Sequence, residues 1–536
     1  MKRFGSIYPF LENGWGPRHL GRLVANYEFV KALLTYGTFD EYVFSNSSRA
    51  NLNAFSGALR TWRLSDAQLS RVRCVPYPAL PAVLQAERFH VFHLGGWGWF
   101  MPGLHYTRTR YACNPWPITA VTHSLHGPDV VDHAVRLSHA GLAPYDAVFC
   151  TSVDARQALR RLLDGGAAIA GRAFNGRLEH LPLGIDDAHL DAAADRDAGR
   201  RFRAQVGIAP DATVLLVLGR MTPFQKMDLV PLLQTFARAI LPQSARPVTL
   251  LLAGSATPDD VLLVRQAIGR YGIQSHVTIR PEFPQGDKAA LLAASDILVS
   301  PVDNAQETFG LSLLEAMAAG LPVVASRFDG YKDLVRDGVD GFLIDTYGGT
   351  SDAAGEWFDL TDPNVAQLVQ SQGVAVDLAQ LAERVLRLIG DAGLRAAMGA
   401  AGRAKVDREY RWSRVIARYE ETWDRLAAEA LAAGLPPAGD NPYNLGPARI
   451  FPHYPSQTLS PDRRLAACGD PSDVRPYEEV AWLVAPPLLA RLHACAAAGG
   501  EAGAPVADLL AEASLPAPQG EFAVRWMLKY GLLRTL

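Results

Sequence analysis

Two carboxylates, Glu307 and Glu315, have seven residues between them in the stretch "ETFGLSLLEAMAAGLPVVAS". Glu307 ends a polar loop, and Glu315 lies about one turn inside a predicted helix that Gly320 and Pro322 terminate. The free N–H groups and the positive dipole end at the start of that helix suit a phosphate, and a carboxylate on each side can accept hydrogen bonds from sugar hydroxyls. The same spacing also fits an ordinary amphipathic helix with one surface Glu and one capping Glu.

Two cations follow another predicted strand in the same half of the chain. The run "TVLLVLG" ends at Gly219, and Arg220 and Lys226 come after it. A diphosphate leaving group needs positive charge as its bond to a sugar breaks, and fixed cations supply that charge without a metal ion. A lone Arg and a lone Lys are also common as solvated surface cations. Gly310, before the helix of the Glu pair, marks a position where backbone can approach a ligand closely.

The elements that position these residues form an alternating pattern of strands and helices. Short β-branched or aromatic runs are separated by longer helical segments, which is typical of parallel sheets covered on both faces. The predicted strands are 41–45, 71–76, 89–94, 118–123, 146–152 and 178–184 in the first part, and 213–219, 248–254, 276–281, 296–301, 321–326 and 341–344 in the second. Ligands bind at the carboxyl ends of such strands, and a cleft between two such units is a natural ligand site.

The composition is that of an ordinary globular protein. Of the 536 residues, 49% are hydrophobic and 20% charged, and the formal net charge of −3 argues against nucleic acid as an electrostatic partner. The five cysteines form no C-x-x-C pair, so neither a disulfide framework nor a zinc site is indicated. We see no signal peptide and no apolar run of the ~18–20 residues that span a membrane. A cytoplasmic location is expected, and peripheral contact with a membrane surface stays open.

The stretch around the two carboxylates resembles the E-x7-E signature of family 4 glycosyltransferases (glycosyl transferases group 1), which have the GT-B fold. The residues that carry the resemblance are Glu307, Phe309, Gly310, Glu315, Ala316, Gly320 and Pro322-Val323-Val324. The resemblance implies that Glu307 lies by the donor sugar, where we expect a catalytic role, and that Glu315 contacts the nucleotide ribose. It also implies that the amides of Phe309, Gly310 and Leu311 meet the donor.

The segment after the strand at 213–219 is similar to the family's G-R-x(n)-K segment, whose Arg and Lys hold the donor pyrophosphate. This similarity assigns Arg220 and Lys226 to donor binding. The chain departs from the family at Met227, where the family often has Gly. The family's chemistry is independent of metal, and no metal site is assigned: the Asp-x-Asp triplet at 195–197 lies in a predicted linker and is expected to be surface charge.

Two weaker signals extend the predicted site. Gly14 and Gly16 lie in "ENGWGPRHLGR", at a place where many GT-B enzymes have a Gly-rich loop, although Gly-Trp-Gly is equally good as a plain turn. His123 follows a predicted strand where the family often has a His near the reacting sugar, and His126 is a rival close by. Gly14 and Gly16 are assigned to the donor, and His123 to catalysis.

The resemblance implies an α/β protein of the GT-B fold, with two Rossmann-like domains facing a cleft. We expect an N-terminal acceptor domain over 1–190, a nucleotide-sugar domain over 200–411 and a closing helix over 412–434 that crosses back to the first domain. An extra, mainly helical module over 450–536 has the pattern of a winged helix. The resemblance does not extend to that last module.

The function implied is a retaining, metal-independent glycosyltransferase that moves a sugar from a nucleotide-diphosphate sugar, its co-substrate, to an acceptor hydroxyl, with no cofactor. The donor sugar, its base and the acceptor (glycan, lipid, small molecule or protein) stay open. The rivals are a GT-B sugar-nucleotide epimerase or phosphorylase, an inactive sugar-binding module, and a regulatory protein acting through residues 450–536. Residues 431–536 carry eight Lys and Arg against ten Asp and Glu, a net charge of −2 that lacks the basic surface expected for DNA binding.

Overall fold

The computed structural model describes residues 1–7, 21–46, 49–127, 129–186, 195–283, 287–349 and 360–536. Gly14 and Gly16, which the sequence assigns to the donor, lie outside the described residues. The chain divides into two compact units. The first comprises residues 1–44, 54–74 and 82–439, and the second comprises residues 45–53, 75–81 and 440–536.

The first sheet is built from seven short strands of the N-terminal part. These strands are β1 Arg3–Ser6, β2 Glu41–Asn46, β3 Val72–Pro76, β4 Val91–Leu94, β5 Ile118–Val121, β6 Ala147–Cys150 and β7 Arg177–His180. Their order in the sheet is β3-β2-β1-β4-β5-β6-β7. The neighbouring strands β2-β1, β1-β4, β4-β5, β5-β6 and β6-β7 pair in parallel. The helices between them are α1 Gly21–Tyr36, α2 Arg49–Leu59, α3 Asp66–Leu69, α4 Leu80–Ala86, α5 Phe100–Tyr111, α6 Val130–Ala140 and α7 Val153–Ala170.

The second sheet repeats this architecture with six strands. They are β8 Thr213–Leu218, β9 Val248–Ala253, β10 Val277–Arg280, β11 Ile297–Ser300, β12 Val323–Ser326 and β13 Gly341–Ile344. Their order is β10-β9-β8-β11-β12-β13, and every pair is parallel. The helices are α8 Arg196–Val206, α9 Leu229–Thr235, α10 Pro258–Tyr271, α11 Lys288–Ala293, α12 Leu311–Ala318, α13 Tyr331–Leu334, α14 Pro363–Gln372, α15 Leu378–Gly390 and α16 Ala392–Glu409. After the last strand of this sheet, two short strands, β14 Thr346–Tyr347 and β15 Ala375–Val376, form a separate antiparallel pair.

The predicted class, α/β with two Rossmann-like domains, is confirmed, as are all twelve predicted strands. The last strand of the first part, predicted at 178–184, ends at His180 instead, and residues 181–184 leave the sheet. β8 and the other strands at the centre of the second sheet are buried along their whole length, which is why they appear in the sequence as continuous apolar runs.

Each sheet has one position where the order of its strands reverses. In the first sheet this position lies between β1 and β4, and in the second it lies between β8 and β11. Loops that leave two such neighbouring strands turn to opposite faces of the sheet and open a crevice at the carboxyl ends. Arg220 follows β8 and Glu307 follows β11, so the topology delivers both residues to the same crevice.

A long helix, α17 Trp412–Ala433, packs against the first sheet. The fully buried Trp423 donates a hydrogen bond from Nε1 to Thr119 Oγ1 on β5 (3.0 Å). Glu420 accepts hydrogen bonds from the backbone N (2.7 Å) and the hydroxyl (2.9 Å) of Thr38. This helix follows the second domain in sequence and is anchored on the first by its aromatic and acidic side chains.

The Asp-x-Asp triplet at 195–197 begins helix α8. The Asp195 carboxylate accepts hydrogen bonds from the backbone N of Asp197 (2.9 Å) and of Ala198 (3.0 Å), which is the role of an N-cap. Asp197 forms an ion pair with the exposed Arg200 one turn further on. The Asp195 carboxylate therefore caps the helix, and the Asp197 carboxylate pairs with an arginine on the helix surface.

Residues 440–536 of the second unit form four α-helices and a small sheet. Its antiparallel strands are β16 Arg464–Ala467, β17 Ala504–Pro505 and β18 Leu533–Thr535 in the order β17-β16-β18, and its helices are α18 Pro447–Ile450, α19 Pro486–Ala498, α20 Val506–Ala513 and α21 Ala517–Lys529. Apolar residues of α19, α20, α21 and β16 form a separate core. Within the described ranges of the whole chain, no helix combines the length and the apolar character needed to cross a bilayer.

Candidate functional site

A cavity of about 770 Å³ lies at the carboxyl ends of β8 and β11. Residues of both Rossmann-like domains line it, and its volume is typical of a site for a small molecule. The eight predicted site residues that the structure describes all line this cavity: Glu307, His123, Arg220, Lys226, Glu315, Phe309, Gly310 and Leu311. The fold thus brings together side chains that the sequence separates by up to 192 positions, from His123 to Glu315.

Glu307 and Lys226 form an ion pair on the wall of the cavity. Glu307 Oε1 also accepts hydrogen bonds from the backbone N of Thr308 (3.2 Å) and of Phe309 (3.1 Å). Burial would raise the Glu307 pKa, but the Lys226 ammonium and these two amides outweigh it and hold that pKa below its usual value. Burial likewise opposes the charge of Lys226, and the carboxylate of Glu307, with Tyr331 beside it, still raises the Lys226 pKa. Both members of the pair are therefore charged near neutral pH.

Arg220 adds a second cation to the same wall. Its guanidinium donates to the side-chain Oε1 of Gln225 (2.5 Å) and to the Gln225 carbonyl (3.3 Å), so the loop after β8 holds its own arginine in place. Burial lowers the Arg220 pKa, and Glu307 partly restores it. An arginine remains charged under such conditions, so the wall carries two cations and one carboxylate.

Glu315 has a partner that sequence reasoning missed. Lys288, the first residue of α11, donates from Nζ to Glu315 Oε1 at 2.7 Å, and each of the two side chains is only 12% exposed. The available signal was the position of Lys288 at a helix start a few residues after the segment "RPEF" (280–283). Glu282 and Phe283 of that segment line the cavity as well.

Gly310 precedes helix α12 in a conformation that few other residues adopt. Its φ is +113°, and a Cβ atom there would lie 2.7 Å from the Tyr331 ring. The glycine is therefore required by backbone conformation and by Tyr331, in addition to the close ligand approach predicted for it. At the start of the helix, the buried Ser312 Oγ has no hydrogen-bond partner among the described residues, and Ser312 lines the cavity.

The amide of Phe309, which the sequence predicts to meet the donor, donates to Glu307 Oε1 (3.1 Å), and the Phe309 side chain is buried. The reason is the tight turn before the helix, which directs this N–H back to the carboxylate two residues earlier. Phe309 thus orients Glu307. The contact of its amide with a donor stays a prediction.

His123 and its rival His126 lie in different places. His123 lines the cavity, and its Nε2 is 2.8 Å from Asn26 Oδ1. His126 lines a neighbouring cavity instead, with Nε2 hydrogen-bonded to Gln370. His123 therefore lines the cavity in which the donor is predicted to bind, and His126 is not among its described lining residues.

Met227 occupies the position where the family often has Gly. Its side chain is 1% exposed and belongs to the apolar core below the loop. It does not line the cavity. The departure from the family pattern is thus a difference in packing beneath Lys226.

Residues 212–356 match the family model described as glycosyl transferases group 1. The chain carries a group 1 glycosyltransferase domain. The matched range contains Arg220, Lys226, Glu307 and Glu315, which are the residues on which the resemblance rests. The family recognised from these motifs is therefore confirmed for residues 212–356.

Curated relatives agree with this family. A D-inositol 3-phosphate glycosyltransferase of Mycolicibacterium gilvum is 34% identical over 178 residues, which is 32% of this chain and 36% of the relative. The protein of the same name from Mycobacterium bovis is 35% identical over 190 residues, or 34% of this chain and 36% of the relative. The match thus spans about a third of the length of these relatives.

Solved structures show that the fold is GT-B. Anabaena Alr3699/HepE in complex with UDP has a TM-score of 0.52 at 19% identity and covers 79% of this chain and 100% of its own. The sucrose-phosphate synthase of Thermosynechococcus elongatus has a TM-score of 0.53 at 17% identity and covers 80% and 100%. At these identities the likeness shows the fold alone.

Proposed function

We propose that this chain is a retaining glycosyltransferase that moves a sugar from a nucleotide-diphosphate sugar to an acceptor hydroxyl, without a metal ion or a cofactor. The observation that carries the proposal is the joint placement of two Lys–Glu pairs and Arg220 in one cavity of the group 1 domain. Arg220 and Lys226 can pair with a diphosphate. The two carboxylates can accept hydrogen bonds from hydroxyls of the ribose and of the transferred sugar.

In the proposed complex, Arg220 and Lys226 hold the diphosphate together with the start of helix α12. Glu315, positioned by Lys288, accepts hydrogen bonds from the ribose. Glu307 accepts hydrogen bonds from the donor sugar. Arg220 and Lys226 then stabilise the charge that develops on the departing diphosphate.

The transfer breaks the bond between the anomeric carbon and the phosphate oxygen, and the bonding electrons leave with the nucleoside diphosphate. The acceptor oxygen forms the new bond on the same face of the sugar ring. The acceptor's hydroxyl proton passes to the departing phosphate oxygen. In this scheme no side chain forms a covalent bond to the sugar, and the anomeric configuration is retained.

The solved structures suggest a base to test first, and the curated relatives name an acceptor. UDP is the first nucleotide to test, because the structural neighbour HepE binds it. The inositol phosphate acceptor named for the curated relatives is not carried over, because the match covers only about a third of their length.

The test is an NMR assay of sugar transfer. UDP-glucose, UDP-galactose, UDP-N-acetylglucosamine and GDP-mannose are incubated with the protein and a pool of sugar acceptors, and the anomeric proton coupling of the product is measured with and without EDTA. We expect one donor to give a product with the donor's anomeric configuration at a rate that EDTA does not change. Inverted product, or turnover that EDTA abolishes, would contradict the mechanism.

A further inference from the structure

A second cavity, of about 440 Å³, adjoins the donor cavity. Arg22, His123 and Ser124 line both cavities. The loop that follows β4 lines the second cavity. This loop leaves the sheet at the position where the strand order of the first sheet reverses. The first sheet therefore offers a ligand crevice of its own, directly beside His123.

The wall of the second cavity is aromatic. The stretch "GGWGWF" (95–100) follows β4 and supplies three aromatic side chains. Trp97 is buried and donates from Nε1 to the Ser124 carbonyl (3.3 Å), while Trp99 is 57% exposed and Phe100 is 39% exposed. Large apolar side chains exposed next to each other in a concave site are typical of ligand binding.

Trp99 is held in place although most of its surface is open. The Arg136 guanidinium lies 4.4 Å from the centre of the Trp99 ring system, and the His133 ring meets it edge-on at 6.0 Å. Gly98 between the tryptophans has φ +93°, and a Cβ atom there would lie 2.7 Å from His133. Gly98 thus lets the backbone pass close to His133, and the contacts with Arg136 and His133 hold the exposed indole against α6.

The polar groups around this indole suit a neutral ligand. Asp129 lines the cavity at the start of α6, where its carboxylate makes no cap hydrogen bond. His126 and His133 line it too, and burial lowers the pKa of both, so their rings are neutral near pH 7. A sugar ring presents an apolar C–H face to an aromatic ring and a rim of hydroxyls to a carboxylate and to imidazoles. Arg22 and Asp129 line the cavity with opposite charges, so the described lining has no net positive charge to attract a phosphate. Arg136 contacts the Trp99 ring but is not among the residues that line the cavity.

A buried asparagine connects this loop to His123. Asn26 is 1% exposed, donates from Nδ2 to the Gly95 carbonyl (3.0 Å) and lies with Oδ1 2.8 Å from His123 Nε2. Because Oδ1 can only accept, His123 Nε2 carries the proton. The aromatic loop and the histidine beside the donor are therefore held in one fixed arrangement.

We propose that this second cavity binds the acceptor, and that the acceptor is a neutral sugar ring stacked on Trp99 and Phe100, with its hydroxyls on Asp129 and His133. The inference rests on the proposed function and adds the substrate class to it. One acceptor hydroxyl points past His123 to the anomeric carbon of the donor. That hydroxyl forms the new glycosidic bond, loses its proton to the departing phosphate oxygen and displaces the nucleoside diphosphate.

The experiment measures acceptor binding by saturation-transfer NMR on the full chain in the presence of UDP. The probes are methyl glucopyranoside, methyl mannopyranoside, cellobiose and maltose, together with myo-inositol 1-phosphate, glucose 6-phosphate, a flat phenol and vesicles of phosphatidylinositol. The variants are Trp99→Ala, Trp99→Phe and Asp129→Asn. The matched control is Tyr347→Ala, which removes an equally exposed aromatic ring (61% exposed) outside this cavity.

We expect at least one neutral glycoside to bind, and its Kd to rise about tenfold in Trp99→Ala, the loss expected for one aromatic contact. Trp99→Phe should restore most of the affinity, Asp129→Asn should also weaken binding, and Tyr347→Ala should leave it unchanged. Stronger binding of a phosphorylated sugar, of the phenol or of the vesicles would overturn the neutral-sugar assignment. Glycoside binding that Trp99→Ala leaves unchanged would overturn the site.

The UDP affinity, measured on the same samples, separates this inference from the proposed function. If every variant binds UDP like the wild type and Trp99→Ala still binds the glycoside normally, the acceptor site is wrong and the donor site stands. If the wild type binds no nucleoside diphosphate, the proposed function itself fails.

Discussion

At the scale of single residues, the candidate site without ligand neutralises its own charges. Lys226 is paired with Glu307 and Lys288 with Glu315, and all four side chains are largely buried. A donor that binds must therefore exchange a diphosphate or a ribose hydroxyl for part of an existing ion pair. Buried pairs of this kind are costly to break by removal of one partner, since the other charge is left uncompensated.

Glu307→Gln removes the carboxylate and leaves the Lys226 ammonium without its partner. We expect turnover to fall by about 100- to 1,000-fold, the size seen when one preorganised group of an active site is lost. The affinity for a nucleoside diphosphate should stay the same or rise, because Lys226 is then free to pair with phosphate. Steady-state kinetics and calorimetric titration measure the two effects. Glu421→Gln, at an exposed position of α17, is the control, and near-wild-type turnover of Glu307→Gln would sink the role given to Glu307.

Lys288→Met should weaken nucleotide binding through Glu315. Without the contact of 2.7 Å, the Glu315 carboxylate loses the group that, in the proposed complex, orients it toward the ribose. We expect the Kd for UDP to rise about tenfold, the loss of one charge-assisted hydrogen bond, and the Kd for pyrophosphate to change little. Lys529→Met, at an exposed position, is the control. Equal losses for UDP and pyrophosphate would contradict a role for Lys288 at the nucleoside end.

Asp329 gives the stability of the fold a specific pH dependence. Burial, with the nearby charges of Glu307 and Asp154, raises its pKa to about 7, from an ordinary value of 3.8. A carboxyl whose pKa is raised on folding binds its proton more tightly in the folded state, so its contribution to stability declines as the pH rises from about 4 to 7. Asp303 has a pKa raised to about 7 as well, so part of this decline remains when Asp329 is replaced.

Asp329→Asn should therefore gain stability relative to the wild type as the pH rises from about 4 to about 7. The measurement is the midpoint of thermal unfolding at several pH values, with Asp211→Asn, an exposed carboxylate, as the control. A difference between Asp329→Asn and the wild type that does not change with pH would show that the carboxyl has an ordinary pKa.

At the scale of elements, the start of helix α12 was largely readable from the sequence. The Gly at its beginning, the Gly after its end and the Glu one turn inside are all where the pattern placed them. The strands were equally readable, because burial on both faces leaves continuous apolar runs. These features depend on local chain geometry, which neighbouring residues determine.

Contacts between distant elements could not be predicted in this way. The Lys288–Glu315 pair joins residues 27 positions apart, and the Asn26–His123 contact joins residues 97 positions apart. Such pairs exist only after the strands have taken their order in the sheets. The loop "GGWGWF" was visible after a predicted strand, and its aromatic residues were a signal that sequence reasoning did not use.

The conformation at the start of helix α12 yields a prediction about stability. Gly310→Ala places a Cβ atom in the left-handed region and against Tyr331, and we expect it to cost about 1–3 kcal/mol or more. Gly320→Ala is the matched control, because its φ is also positive (+79°) but a Cβ atom there meets nothing within 4 Å. Urea denaturation compares the two. Equal losses for both variants would mean that the contact with Tyr331 contributes nothing.

At the scale of the whole molecule, the fold places two crevices side by side. Each parallel sheet reverses its strand order once, and each reversal lies beside a cavity that carries its own set of functional side chains. The charged cavity belongs to the second sheet, and the aromatic one belongs to the first. This division follows from the sequences of the loops, since the two sheets share one architecture.

The measurement that tests the central claim most directly is nucleotide binding by the full chain. Thermal unfolding is followed with UDP, GDP, ADP and TDP, each with and without EDTA, for the wild type and for Arg220→Ala. We expect one nucleotide, present well above its Kd, to stabilise the wild type by about 2–4 kcal/mol whether or not EDTA is present, and to stabilise Arg220→Ala much less. A wild type that responds to none of the four nucleotides would contradict the assignment of the cavity to a nucleotide-diphosphate sugar.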